Sequence, residues 1–193
     1  MTIDSARIES AVAELIAAIG EDAGRPGLAE TPRRVAEAYA DFFSGIGDDP
    51  LEHLADTVGF AGEQHLGELV LLRDIAFRSM CEHHLLPFLG TAHIAYLPGE
   101  RIVGLSALPR VVDTLAARPQ VQERLGEQIA DALQTGLAPR GVLVVLDAVH
   151  GCLTARGVRQ AGSSTVTVAS RGALQDPVAR AEAMTLIGEG AVG

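Results

Sequence analysis

Cys81-Glu82-His83-His84 and, far downstream, His150-Gly151-Cys152 gather both cysteines and three of the six histidines of this 193-residue chain. A Cys-x-x-His turn brings a thiolate and an imidazole within reach of one ion, and the second thiolate adds a third ligand. Cys81, His84 and Cys152 thus make a three-ligand set, whereas a closed structural zinc takes four. Three ligands leave a position for water, whose pKa falls to about 7 on zinc, and such an open site suits catalysis. Two other readings stand beside this one: a closed structural site completed by a fourth ligand such as His83, and buried free thiols beside polar histidines. A disulfide would leave the flanking histidines without a purpose, and nothing else in the chain suggests an oxidising compartment.

Side chains at i and i+2 of a strand share a face. If extension continues past Val149, His150 and Cys152 serve one site, with His150 beside the metal without binding it. His83 adjoins the ligand His84 in the same way. Both histidines have near-neutral unperturbed pKa values and are candidate proton carriers, or else groups that only orient a ligand. His53 and His65 fall in a connector and read as solvated; His93, inside a strand pattern, reads as structural.

The elements that must position these residues are legible as patterns. Ile8, Val12, Leu15, Ile16 and Ile19 recur at helical spacing up to Gly20. Thr31-Pro32 reads as an N-cap followed by Pro at the first helical position, opening a helix to Gly45. Gly45 to Gly67, rich in Gly and Asp, is a connector. Strands are expected at 69–77, 91–97 and 102–105, helices at 108–115 and 121–137, and further strands at 141–149 and 164–169. The run from Gly141 to Val149 is so uniformly apolar that it predicts a strand covered on both faces. Hairpins flanking helices give an α+β class.

Composition bounds the function. Hydrophobic residues make up 48% of the chain, and no apolar run approaches the length of a membrane span. The first fourteen residues lack a signal-peptide pattern, so the expected setting is cytoplasmic and reducing. A net charge of -10 argues against nucleic acid as a partner. All 15 basic residues are Arg, which excludes lysine-nucleophile chemistry and leaves any anionic substrate to arginine.

Five blocks in order resemble the GTP cyclohydrolase I family: Thr31-Pro32-Arg33-Arg34-Val35-Ala36, Cys81 to Phe88, Gly104-Leu105-Ser106, Arg118 to Leu125, and His150-Gly151-Cys152 with Ala155-Arg156-Gly157. The resemblance implies a T-fold, an antiparallel sheet with helices outside, as one catalytic unit over residues 66–193. Helices and connector would precede it at 1–65. It implies a homodecamer of two pentamers with sites at subunit contacts. It further implies zinc on Cys81, His84 and Cys152, His83 and His150 as catalytic proton carriers, Gln122 and Glu123 on the guanine edge, and Ser106 near the ribose. Arg34, Arg110 and Arg156 would hold the triphosphate. The implied reaction is zinc-assisted hydrolytic opening of the guanine imidazole ring of GTP, with loss of formate and closure to 7,8-dihydroneopterin triphosphate. Without the resemblance, the favoured reading of Gln122 and Glu123 is a solvated helix face and that of the arginines surface ion pairs.

The chain departs from the family at Ala107, where relatives commonly carry Lys after Gly-Leu-Ser, and at Glu37, where many bacterial relatives carry another Lys. A charge-assisted phosphate contact contributes about 1.5–3 kcal/mol, and Arg33 and Arg101 are the candidate substitutes. Two other classes fit these residues. One is a paralogous guanine-nucleotide cyclohydrolase of a secondary pterin or deazapurine pathway; the other is a non-catalytic assembly partner that keeps zinc as a structural element.

Overall fold

The structure is a computed structural model that describes residues 3–59 and 68–188. It opens with two helices, α1 (Ser5–Ala18) and α2 (Thr31–Phe42), packed on each other. Asp4 caps α1 by accepting from the Arg7 amide at 3.1 Å. Thr31 is not the cap of α2, as its pattern predicts, but its first residue; Glu30 precedes it without a side-chain cap, and Pro32 supplies the preset φ. The described part of the connector, residues 45–59, holds more regular structure than its composition suggests. Asp49 accepts from the Leu51 amide and opens a short 3-10 turn, Pro50–Leu54, whose Leu54 is buried in the core. β1 (Thr57–Gly59) follows. His65 lies outside the described residues.

The body of the chain is a five-stranded sheet. β2 (Val70–Cys81) and β3 (Pro87–Leu97) form its first hairpin, and β4 (Arg101–Val103) pairs apart with β1. Then come α3 (Ala107–Ala116), the two-residue β5 (Pro119–Gln120) and α4 (Gln122–Leu137). β6 (Gly141–His150), α5 (Gly151–Thr154), β7 (Thr165–Gly172) and α6 (Pro177–Gly188) complete the chain. The sheet order is β5-β2-β3-β6-β7, antiparallel throughout except that β5 lies parallel beside Met80 and Cys81. The class is α+β, as the patterns predict.

Alternation divides the sheet's two faces. Phe88, Ala92, Ile94 and Tyr96 of β3 and Val142, Val144, Leu146 and Ala148 of β6 face α3 and α4 in the main core. Ala95, Leu143 and Val145 face the other way, against Leu174 and the α6 residues Ala179, Ala183 and Met184. β6 is therefore covered on both sides over most of its length, as its unbroken apolar run predicts. α6 has no counterpart among the sequence patterns above. Asp176-Pro177 is its start signal: the Asp176 carboxylate accepts from the Val178 and Ala179 amides, both at 3.0 Å.

Candidate metal centre and its surroundings

The hairpin between β2 and β3 turns at Cys81–Leu86. The Cys81 amide donates to Leu86 O and the Leu85 amide to Cys81 O, both at 2.9 Å. Leu85 takes a left-handed φ of 50°, an uncommon conformation for a non-glycine residue, which lets the chain reverse directly after the two histidines. Cys81 is buried, while His83 and His84 are exposed.

Cys152 reaches this turn by a route different from the one its spacing suggests. The strand ends at His150, and Gly151–Thr154 is a helical turn, so His150 and Cys152 do not share a strand face. Gly151 permits the close approach at this point: a Cβ there would stand 2.8 Å from Pro87 O, a backbone atom at the start of β3. The chain therefore passes close to the hairpin and then coils, carrying Cys152 to Cys81.

The ligand atoms of Cys81, His84 and Cys152 lie within 4.8 Å of one another. Two sulfurs and one imidazole nitrogen are donors that suit zinc, and they are close enough for one ion to serve all three. His84 Nδ1 faces Cys81 Sγ at 3.9 Å. On the other side of the ring, Arg156 Nη2 lies 2.8 Å from His84 Nε2; an ion held at Nδ1 would put the ring's hydrogen on Nε2 and open that contact. His83 Nδ1 is 4.0 Å from Cys81 Sγ, and its Nε2 is 3.7 Å from Glu82 Oε1. Glu82 in turn is held by Arg124, whose hydrogen bonds keep the carboxyl below the usual glutamate range.

His150 is half-buried beside the cluster. Its ring stacks on Phe88 with centroids 4.7 Å apart and planes 3° apart, and its Nε2 is 2.7 Å from Gln122 Oε1. Burial pushes its pKa below the ordinary histidine value, and the carboxylate of Glu123 pulls it part of the way back. Gln122 is 1% exposed, whereas Glu123, in the first turn of α4, is exposed. The candidate metal ligands, both candidate proton carriers and Glu123 thus meet where the β2–β3 hairpin, the end of β6 and the start of α4 converge.

Other candidates stand elsewhere. Ser106 precedes α3 without making a side-chain cap, and Arg110 is exposed one turn further on. Ser106 lies at the opposite end of α3 from the end fastened near the metal turn, where Ser79 Oγ donates to Ala116 O at 2.7 Å, and Arg110 lies between the two ends. A ten-residue helix separates those ends by about 15 Å. Arg34 is exposed on α2. Arg33 is no free substitute for a missing lysine, because Glu30 and Glu37 hold it at 3.0 and 2.5 Å. Ala107 is buried in the main core. His53, expected to be solvated, is half-buried with Nε2 2.8 Å from Thr114 Oγ1. His93 accepts at Nδ1 from the Asp74 amide, 3.2 Å away at the bulge of β2. A cavity of about 610 Å³ between α2, β2 and α3 is lined by Asp41, Phe42, Arg78, Met80 and Asp113, but by none of the three ligands. Among the described residues no helix is long and apolar enough to cross a membrane.

Known proteins share this sequence over nearly its whole length. The family described as GTP cyclohydrolase I matches residues 8–188. The protein named GTP cyclohydrolase 1 of Leifsonia xyli subsp. xyli is 62% identical over 188 residues, 97% of each chain. Those of Clostridioides difficile and Bacillus subtilis are 56% and 51% identical, over 96% and 94% of this chain and 97% and 95% of their own. A solved structure titled archaeosine synthase QueF-Like, in the apo form, covers 54% of this chain and 93% of its own at 18% identity, with a TM-score of 0.46.

Proposed function

The chain belongs to the GTP cyclohydrolase I family, and on that premise we propose that it hydrolyses the imidazole ring of GTP, releasing formate and yielding 7,8-dihydroneopterin triphosphate. This is the first step of tetrahydrofolate and pterin biosynthesis. The observation that carries the reading is the Cys81, His84 and Cys152 cluster with His150 beside it.

Zinc is the ion that the donor set favours, and when bound it supplies a Lewis acid and a water of lowered pKa. The rest falls to the chain's own side chains. Glu123 accepts from the N1 and exocyclic amine donors of guanine and sets the base in place. His150 gives a proton to the imidazole nitrogen released as the ring opens. His83, exposed beside the ligands, moves protons in deformylation and in the ribose rearrangement. Water is consumed at ring opening and again at formate release, and is returned at ring closure. Arg156 stands nearest the ligands for the triphosphate. Ser106 stands apart from them within one chain, at the far end of α3.

That separation supports an assembly in which neighbouring copies complete each site, a decamer of two pentamers with T-fold subunits. The sheet edge at β7 is unpaired among the described residues, as such closure requires. The absence of a long apolar helix among the described residues accords with a cytoplasmic setting. Within this reading residues 66–193 form the catalytic unit and 1–65 its helical approach. The buried Ala107 and the paired Arg33 favour a weaker hold on the triphosphate than lysine-bearing relatives have.

Incubation of zinc-loaded protein with GTP, following formate and pterin fluorescence, tests the activity; no formate would overturn it. His150→Ser should keep zinc and bind GTP but stall before the pterin, and full pterin formation would make His150 a bystander. Mixing inactive His150→Ser with inactive Arg110→Ala chains should restore roughly a quarter of the sites if two copies build each one. No recovery after subunit exchange would confine each site to a single chain.

A further inference from the structure

We propose that Gln122 is a positioning residue: its buried amide locks neutral His150 in the tautomer protonated on Nε2 and leaves Nδ1 as the nitrogen that exchanges protons with substrate. The tautomer follows from geometry alone, and its use in the reaction rests on the function proposed above.

A glutamine amide offers two N–H donors at one end and an acceptor at the other, and its surroundings decide which end faces His150. Gln122 Nε2 lies 3.0 Å from Leu146 O and 2.8 Å from Thr165 O, with Thr167 Oγ1 at 3.2 Å. Two of these are backbone carbonyls, which only accept. Turning the amide over would set its oxygen against both of them in a site 1% exposed, and each buried polar atom left unpaired there costs about 1–3 kcal/mol. The end facing His150 is therefore the carbonyl oxygen.

Oε1, 2.7 Å from His150 Nε2, requires a donor, so that nitrogen carries the hydrogen in the neutral ring. The stack on Phe88 fixes the plane of the same ring. Plane and hydrogen bond together leave only Nδ1 for a substrate proton. The arrangement also changes what Gln122 can do itself. Both its N–H groups are engaged and its oxygen holds His150, so its side chain has nothing left to donate to a purine. Reading of the base edge, expected of both residues from the sequence, passes to the exposed Glu123.

The test uses zinc-loaded protein labelled with ¹⁵N and ¹³C in histidine, with His150 assigned by comparison with His150→Asn. At mildly alkaline pH the wild-type ring should show the proton on Nε2; a proton on Nδ1 overturns the proposal, and this measurement stands even where a variant fails to fold. Gln122→Met keeps the length and removes the hydrogen bonds. It should retain zinc, lose the single tautomer, and lower kcat by about 100-fold, as misplacement of a reacting group does, with KM for GTP and the preference for GTP over ATP nearly unchanged. Glu123→Ala should do the reverse, raising KM and relaxing the purine preference. If Gln122→Met raises KM and relaxes that preference while kcat survives, Gln122 reads the base and the proposal fails. A wild-type protein with the Nε2–H tautomer but no GTP turnover overturns the function and not the lock.

Discussion

Arg124 grips Glu82 with both ends of its guanidinium, at 2.6 and 2.9 Å, and so ties the metal turn to the first turn of α4. Their neighbours in the chain, His83 and Glu123, are the two residues proposed above to meet the substrate. An exposed pair of this kind contributes little to stability, about 1 kcal/mol or less, but a fixed distance between His83 and Glu123 matters to any ligand that touches both. Arg124→Ala should therefore hardly move the melting temperature, retain zinc, and raise KM for GTP several-fold. Unchanged steady-state kinetics would show that the turn and the helix hold their spacing without the pair.

Cys152→Ser should lose metal and activity together, because among the described residues only one group of three can hold an ion and it needs both sulfurs. Metal analysis beside the GTP assay is the measurement. Full zinc occupancy in the variant would place the ion on other ligands.

Gly90 lies where β3 and β6 run closest. A Cβ there would meet Asp147 O at 2.0 Å and Ala148 Cα at 2.6 Å, backbone atoms of a strand buried on both faces. Gly90→Ala should cost about 3 kcal/mol or more, as overpacking against immovable atoms does. Urea denaturation of variant and wild type decides it, and a loss within experimental error would mean that the ladder can part.

Asp113 gives a pH-dependent prediction. Burial pushes its carboxyl above the usual aspartate value, while Arg78 and then His53 pull it back in part. A raised acid binds its proton more readily in the folded chain. Its contribution is therefore most favourable below the unfolded value and falls as pH rises through the folded one. Asp113→Asn should make the protein slightly more stable at neutral pH, by less than about 1 kcal/mol because the side chain keeps contact with water. Below the unfolded value that advantage should vanish. Denaturation midpoints at both pH values check the sign; an advantage that persists in acid would assign the effect to packing.

Local patterns were readable wherever one element sufficed to make them. The apolar run of β6, the helical spacing of α4 and the Cys81-x-x-His84 turn each carry their own signal. Cys152 was legible as a candidate ligand but not by the route it takes, because the helical turn at Gly151 and its close approach to Pro87 O depend on β3. The half-buried His53 owes its state to Thr114 on α3, and the bond between Gln122 and His150 spans twenty-eight positions. Such contacts come from packing between elements, where the amino-acid pattern of each element alone says nothing. The start of α6 was readable in Asp176-Pro177, but its apolar face is too weakly segregated to stand out as a stripe.

Cys81 and Cys152 stand seventy-one positions apart in the chain yet within reach of one ion. Whatever joins them closes a loop that contains the hairpin partner β3, both core helices and β6. A covalent link across such a span removes about 4 kcal/mol of chain entropy from the unfolded state, and a tightly held ion acts on the unfolded chain in the same sense. An ion held there would make the candidate metal centre a topological clasp as well, and a chain without that ion would have more ways to come apart.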